Sequence, residues 1–141
     1  MSREDHATVI QSLFEGIKKG DLAGAVSLVT QDFELVDVPA GYTFHGSDGL
    51  LQWFQGFLTA GSDAKAEIFN TIVEDDWVAT EHVGRFTHTG PLATPGGEVA
   101  PTGRRVEIQI AEFYQMKDGK IRQLRAYYDA ATMMRQLGLM P

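Results

Sequence analysis

The sequence predicts an α+β domain in which helices come first, a strongly bent antiparallel sheet follows, and one short helix closes the chain. Three observations carry this. Apolar residues recur at helical spacing as far as residue 60, they alternate after Gly61, and Asp118-Gly119 separates two alternating runs as a two-residue turn would. Helices gathered on one face of an antiparallel sheet are the layer arrangement that such an order supports.

Each element has its own reason. Ser2 caps a first helix, with Asp5 three residues later strengthening the start. Ile10, Leu13, Phe14 and Ile17 form its apolar stripe, and Gly20 ends it. Asp21 caps a second, shorter helix, in which Leu22, Ala25, Val26 and Val29 keep the same spacing. Residues 33–38 read as a short strand stopped by Pro39. Ser47 caps a third helix with Leu50, Leu51, Phe54, Phe57 and Leu58 on one side. Residues 64–74 and 77–88 then read as two strands joined at Asp75-Asp76. A loop follows over residues 89–103, with four glycines and three prolines. Residues 104–116 and 120–129 make the clearest hairpin, because Asp-Gly accepts the left-handed backbone of a type I′ turn. From Ala130 helix formers run to Gly138, with Asp129 at the seam between strand and helix.

Composition narrows the function classes. A chain of 141 residues is one domain, residues 1–141, and its 43% hydrophobic and 22% charged content is that of a globular protein. A net charge of −7 argues against nucleic acid or an anionic membrane as the main partner. No apolar run is long enough to span a bilayer, and the stretch Met1-Ser2-Arg3-Glu4-Asp5 lacks the apolar segment of a signal peptide. The absence of cysteine removes disulfides, thiol nucleophiles and thiolate metal sites, and it fits a cytoplasmic address. Neither a phosphate-binding glycine motif nor a GxSxG elbow is present.

The hairpin predicts which side chains share a face. With Asp118-Gly119 as the turn, Lys117 pairs with Lys120, and outward from there Glu112 faces Arg125, Ile110 faces Tyr127 and Ile108 faces Asp129. One face then carries Ile108, Ile110, Glu112 and Tyr114 beside Gln123, Arg125, Tyr127 and Asp129, an apolar floor with a few polar groups, as in a small-molecule pocket. The other carries Phe113, Leu124, Ala126 and Tyr128, and its apolar content predicts a homodimer or larger homo-oligomer. Asp129 reads as a helix cap, and also as a general base if its apolar neighbours raise its proton affinity from about 3.9. Glu112 and Arg125 read as a cross-strand ion pair or as substrate contacts. His82 and His88 lie roughly 20 Å apart at strand rise, too far to share a metal ion. No metal site is expected. His88, at the strand end in "THTG", is the candidate for a pocket rim, with the following loop as a mobile edge. His82 and Trp53 complete the candidate lining.

The order of elements resembles the nuclear-transport-factor-2-like superfamily, and more specifically the SnoaL-like polyketide cyclases. The stretches that carry the resemblance are "FHGSDGLLQWF", "THTGPLATPGGEVAPTGRRVEI", "MKDGKIRQLRAYYD" and "MMRQLGLMP", which together span nearly the whole chain. The resemblance implies a cone-shaped α+β barrel, its curved antiparallel sheet covered by N-terminal helices around one central cavity. It also implies a cofactor-independent intramolecular aldol closure of a polyketide ester, a carbonyl-rich apolar small molecule. The family's general acid and base, an aspartate at the end of the last long strand, falls on Asp129 in "RAYYD". Epoxide-hydrolase-like relatives add an arginine and a second aspartate where this chain has "EHVG", with His82 and Gly84, so epoxide hydrolysis is disfavoured. Steroid-isomerase-like relatives use a first-helix tyrosine that this chain lacks. Polyketide hydroxylase-like activity and ligand binding without chemistry are the remaining alternatives.

Overall fold

A computed structural model describes residues 2–141. Helix α1 (Arg3–Lys19) starts at a reciprocal cap: the Asp5 N–H donates to the Ser2 hydroxyl, and the Ser2 N–H donates to the Asp5 carboxylate. Gly20, at φ 74°, ends it in the left-handed region, where glycine has no Cβ to clash. Its buried side chains His6, Ile10 and Leu13 form one stripe. Helix α2 (Leu22–Val26) is capped by Asp21 as expected but ends early, because Val29 already belongs to strand β1 (Val29–Asp37). The chain turns at Gly41 and returns as β2 (Tyr42–His45), a strand that the sequence reading missed. Helix α3 (Gly46–Ala60) springs directly from β2. Ser47 therefore lies inside its first turn instead of capping it, and the cap residue His45 makes no side-chain cap bond.

The second half is strand-rich: β3 (Lys65–Glu74), β4 (Trp77–Thr87), β5 (Leu92–Thr94), β6 (Gly97–Val99), β7 (Arg105–Lys117) and β8 (Lys120–Tyr128), followed by α4 (Ala130–Gln136). Strands β5 and β6 form a small separate hairpin within the segment expected to be loop. The main sheet has the order β2-β1-β8-β7-β4-β3. Every pair in it is antiparallel except β1 with β8, which corrects the expectation of a wholly antiparallel sheet. These two strands lie far apart in sequence, so no tight turn dictates their relative direction.

The hairpin turn is as expected. Asp118 and Gly119 both have positive φ, 51° and 79°, and Lys117 pairs with Lys120. The register then departs from expectation: Met116 pairs with Ile121 and Gln115 with Gln123, so Arg122 is an extra residue. Beyond it Glu112 faces Ala126, Phe113 faces Arg125, Ala111 faces Tyr127 and Ile110 faces Tyr128. The cause is visible in the core. Ile121 and Leu124 are three apart, yet both are buried. Strict alternation cannot put both on one face, and the bulge does so at the cost of one ladder position. Burying Leu124 is worth about 1.5–3 kcal/mol, and the same shift takes Gln123 and Arg125 out of the interior.

Two clusters make up the core. The first packs Ile10 and Leu13 of α1 and Leu50 of α3 against Phe33, Leu35, Val78, Tyr114 and Leu124. The second gathers Ala60, Phe86, Leu92, Val106 and Ile108 with Met133 and Leu137 at the α4 end. On β7, Tyr114 belongs to the first cluster and Ile108 to the second. Glu112 lies between them.

Candidate active site

Alternation along the strands turns a polar set toward the helices. On β1, Phe33, Leu35 and Asp37 point inward; on β4, Val78, Thr80 and His82 do. Together with Glu112 and Tyr114 of β7 and Tyr128 of β8 they place two carboxylates inside the protein, Asp37 at 4% exposure and Glu112 at 3%. A buried carboxylate needs donors, and Asp37 has several. The Trp53 indole N–H donates at 3.1 Å, the Tyr128 hydroxyl lies 2.8 and 3.0 Å from the two oxygens, and the Ala40 N–H donates at 3.2 Å. Burial and the neighbouring Asp37 charge raise the Tyr128 phenol well above its ordinary value, so it remains a donor.

Glu112 is held differently. The Tyr114 hydroxyl donates to its Oε1, and the Thr80 hydroxyl lies 3.3 Å from the same phenol oxygen. His82 Nε2 is 3.9 Å from Oε1. Burial pushes the Glu112 carboxyl up to about 7; the Tyr114 hydrogen bond opposes this and the negative charge of Asp37 adds to it. Burial moves His82 the other way, down to about 4. At neutral pH the pair is therefore a neutral imidazole beside a carboxyl whose proton affinity is raised by burial, not an ion pair. His82 lies edge-on to Phe14 with ring centres 5.1 Å apart, and its Nδ1 is buried without a partner among the described residues. The arrangement can hold and release a proton at neutral pH in apolar surroundings, which is what general acid–base chemistry requires.

The residues singled out from the sequence divide between the two sides of the sheet. Ile108, Ile110, Glu112 and His82 face the helices, and Trp53 reaches the same region through Asp37. Arg125 and Tyr127 do not. The bulge turns them to the outer face, where the Arg125 guanidinium lies 5.3 Å over the Trp77 ring and donates to Gln123, and Tyr127 lies edge-on to Phe113. The expected Glu112–Arg125 pair is thus absent, and Leu124, Ala126 and Tyr128, expected outside, are inside. Asp129 is exposed instead of lying against Ile108 and Tyr127. It caps α4, accepting from the Thr132 hydroxyl at 2.8 Å and the Thr132 N–H at 3.1 Å, and these bonds hold its carboxyl below the ordinary range.

His88 is wholly buried, not on a rim. Its Nδ1 accepts from the Thr102 N–H at 3.1 Å, so the ring proton resides on Nε2, which has no partner among the described residues. The segment after it is anchored, with the N–H groups of Thr89 and Gly90 both donating to the Ala60 carbonyl. A hollow of about 730 Å³ opens on the outer face between Ile72, Trp77, Phe113 and Arg125.

Sequence reasoning missed Asp37 and Thr80 and placed Tyr128 on the wrong side. The first two could have been found, since each continues an alternating apolar run, Phe33-Leu35-Asp37 and Val78-Thr80-His82. Among the described residues no three His, Asp or Glu side chains are grouped to hold a metal ion. Among the described residues no helix is long and apolar enough to cross a membrane.

The fold is shared with known proteins. AclR of Streptomyces galilaeus, proposed to be a hydroxylase, superposes with a TM-score of 0.82 at 22% identity, covering 99% of this chain and 85% of that one. A proposed SnoaL-like polyketide cyclase from Jannaschia sp. CCS1 reaches 0.86 at 17% identity over 99% and 95% of the two chains. IdmH of Streptomyces antibioticus, proposed to be a polyketide cyclase, is 28% identical with a TM-score of 0.77 over 94% and 98%. No curated protein matches the sequence at a significant level. The family model for the SnoaL-like polyketide cyclases matches residues 7–137. With that match over nearly its whole length, and with the helix-covered curved sheet of the nuclear-transport-factor-2-like fold, the chain belongs to the SnoaL-like polyketide cyclase family.

Proposed function

We propose that the protein catalyses a cofactor-independent, cyclase- or isomerase-type reaction on a carbonyl-rich, largely apolar small molecule, and that Glu112 carries the proton. The observation behind this is the Glu112 carboxyl, buried between two apolar clusters with a proton affinity near neutrality. A hydrogen flanked by carbonyls is acidic enough for such a carboxylate to remove, and the resulting enolate spreads its charge into the substrate. Both contacts of Glu112 use Oε1, which leaves Oε2 to take the proton. His82, neutral and with a free Nδ1, lies beside it to meet a substrate oxygen. The buried N–H of His88 is a second polar group to orient substrate at the α4 end. Aldol closure then requires the substrate to be held folded until the carbon–carbon bond forms, a matter of orientation more than of further chemistry. In this reading Asp129 serves as the helix cap.

The outer face supports a second proposal, a homodimer. Ile72 is more than half exposed and lines the outer hollow with Phe113, against which Tyr127 lies edge-on, and neighbouring exposed apolar side chains of this kind favour association.

Solvent deuterium incorporation into an aromatic 1,3-dicarbonyl compound tests the catalytic proposal. Wild type and Asp129→Asn should exchange the acidic hydrogen at similar rates, and Glu112→Gln should be slower by at least ~10²-fold. Wild-type exchange in Glu112→Gln would overturn the assignment. Binding without exchange in any variant would make the protein a ligand carrier.

A further inference from the structure

We infer that Tyr114, braced by Thr80, is a positioning residue for Glu112: it fixes one carboxyl oxygen so that the other is presented to substrate, and it keeps the carboxylate form accessible inside the core. This rests on Glu112 as the proton carrier. The groups around Glu112 leave this importance to a single phenol. From β4 come Thr80 and His82, and His82 is uncharged at neutral pH. From β8 comes Ala126, directly opposite and without a polar side chain, while Tyr128 is committed to Asp37. From β1 comes Asp37, whose like charge disfavours the anion. The helices contribute Phe14, against His82, and Trp53, which donates to Asp37. The one nearby cation on β8, Arg125, lies on the other face. What favours a charged Glu112 is therefore the hydroxyl of Tyr114.

The direction of that bond is set by the Glu112 carboxylate, which when ionised can only accept. A phenol has one proton and can accept as well. With the Tyr114 proton on Glu112 Oε1, the Thr80 hydroxyl donates to the Tyr114 oxygen, and a donor there strengthens the bond that follows it. Burial and the Glu112 charge hold the Tyr114 phenol well above its ordinary value, so it donates throughout the working pH range.

Two readouts test this in wild type, Tyr114→Phe, Thr80→Val and Glu112→Gln. One is the ¹³C carboxyl titration of Glu112 in glutamate-labelled protein, identified by its loss in Glu112→Gln; the other is the pH profile of deuterium exchange. Tyr114→Phe should move the Glu112 midpoint to higher pH by about one to two units, the value of a hydrogen bond to a charged group. Its exchange profile should shift alkaline by the same amount, and Thr80→Val should move both in the same direction by less. A midpoint in Tyr114→Phe unchanged within about 0.3 units would overturn the inference. Should Tyr114→Phe fail to fold, an unshifted Thr80→Val would do so equally. If Glu112→Gln exchanges normally, the assignment of Glu112 fails instead, and the carbon titration still decides whether Tyr114 governs its proton.

Discussion

Glu112 and His82 should give the protein two proton linkages of opposite sign that nearly cancel. Glu112 titrates at about 7 when folded against an ordinary 4.5. Between those values the unfolded chain has lost the proton and the native protein keeps it, so stability is full below 4.5 and falls as pH rises to 7. His82 titrates at about 4 against 6.5. Between those values the unfolded chain carries the proton and the native protein does not, so stability is full above 6.5 and falls as pH drops to 4. Each interval spans ~2.5 pH units, worth ~3 kcal/mol at 1.36 kcal/mol per unit. The wild type should therefore be nearly flat in this respect from pH 4.5 to 6.5. Replacing one partner exposes the other. Relative to wild type, Glu112→Gln should gain ~3 kcal/mol as pH rises from 4.5 to 7, and His82→Asn should lose about as much between pH 4 and 6.5. Urea unfolding at half-unit pH steps measures this, and comparing differences removes the exposed carboxylates common to all variants. Difference curves that are flat, or that slope the same way for both variants, would refute the buried-proton reasoning.

Other outcomes follow from single residues. Asp129→Asn should keep the melting temperature, because asparagine caps a helix about as well, whereas Asp129→Ala should lower it. Gly90→Ala should lower the urea midpoint markedly, since a Cβ there would lie 1.9 Å from the Thr59 carbonyl oxygen; such overpacking costs on the order of 1–3 kcal/mol. Light scattering at tens of micromolar should show a dimer, and Ile72→Asp combined with Phe113→Asp should show a monomer; a wild type that is already monomeric would remove the outer face as an interface.

Much of the fold is written in local signals. The Ser2–Asp5 cap, the Gly20 stop, the Asp118-Gly119 turn and the family stretches were legible because each depends on residues a few positions apart. The parallel seam between β1 and β8 was not, since nothing local to either strand specifies a partner so distant in sequence. The candidate site failed at one residue. Arg122 looks like any strand residue, and the demand that bulges it comes from burying Ile121 and Leu124 together, a tertiary requirement. Asp37 was legible in principle, as the polar end of an alternating apolar run, but a carboxylate at a strand end before Pro39 has the appearance of a turn residue.

The bulge at Arg122 also governs how this chain is compared with its relatives. Counting along β8 from the Asp118-Gly119 turn assigns Arg125 to the place across from Glu112, whereas Ala126 stands there in space. An ungapped alignment with a relative whose hairpin is regular would therefore equate residues that point to opposite sides of the sheet, and every functional assignment carried across β8 would be displaced by one. Functional positions in this strand are correctly transferred by their partner on β7. A single-residue insertion or deletion at this point would exchange the whole set of groups that β8 offers to the interior, so that one short change in chain length amounts to several simultaneous substitutions in the site.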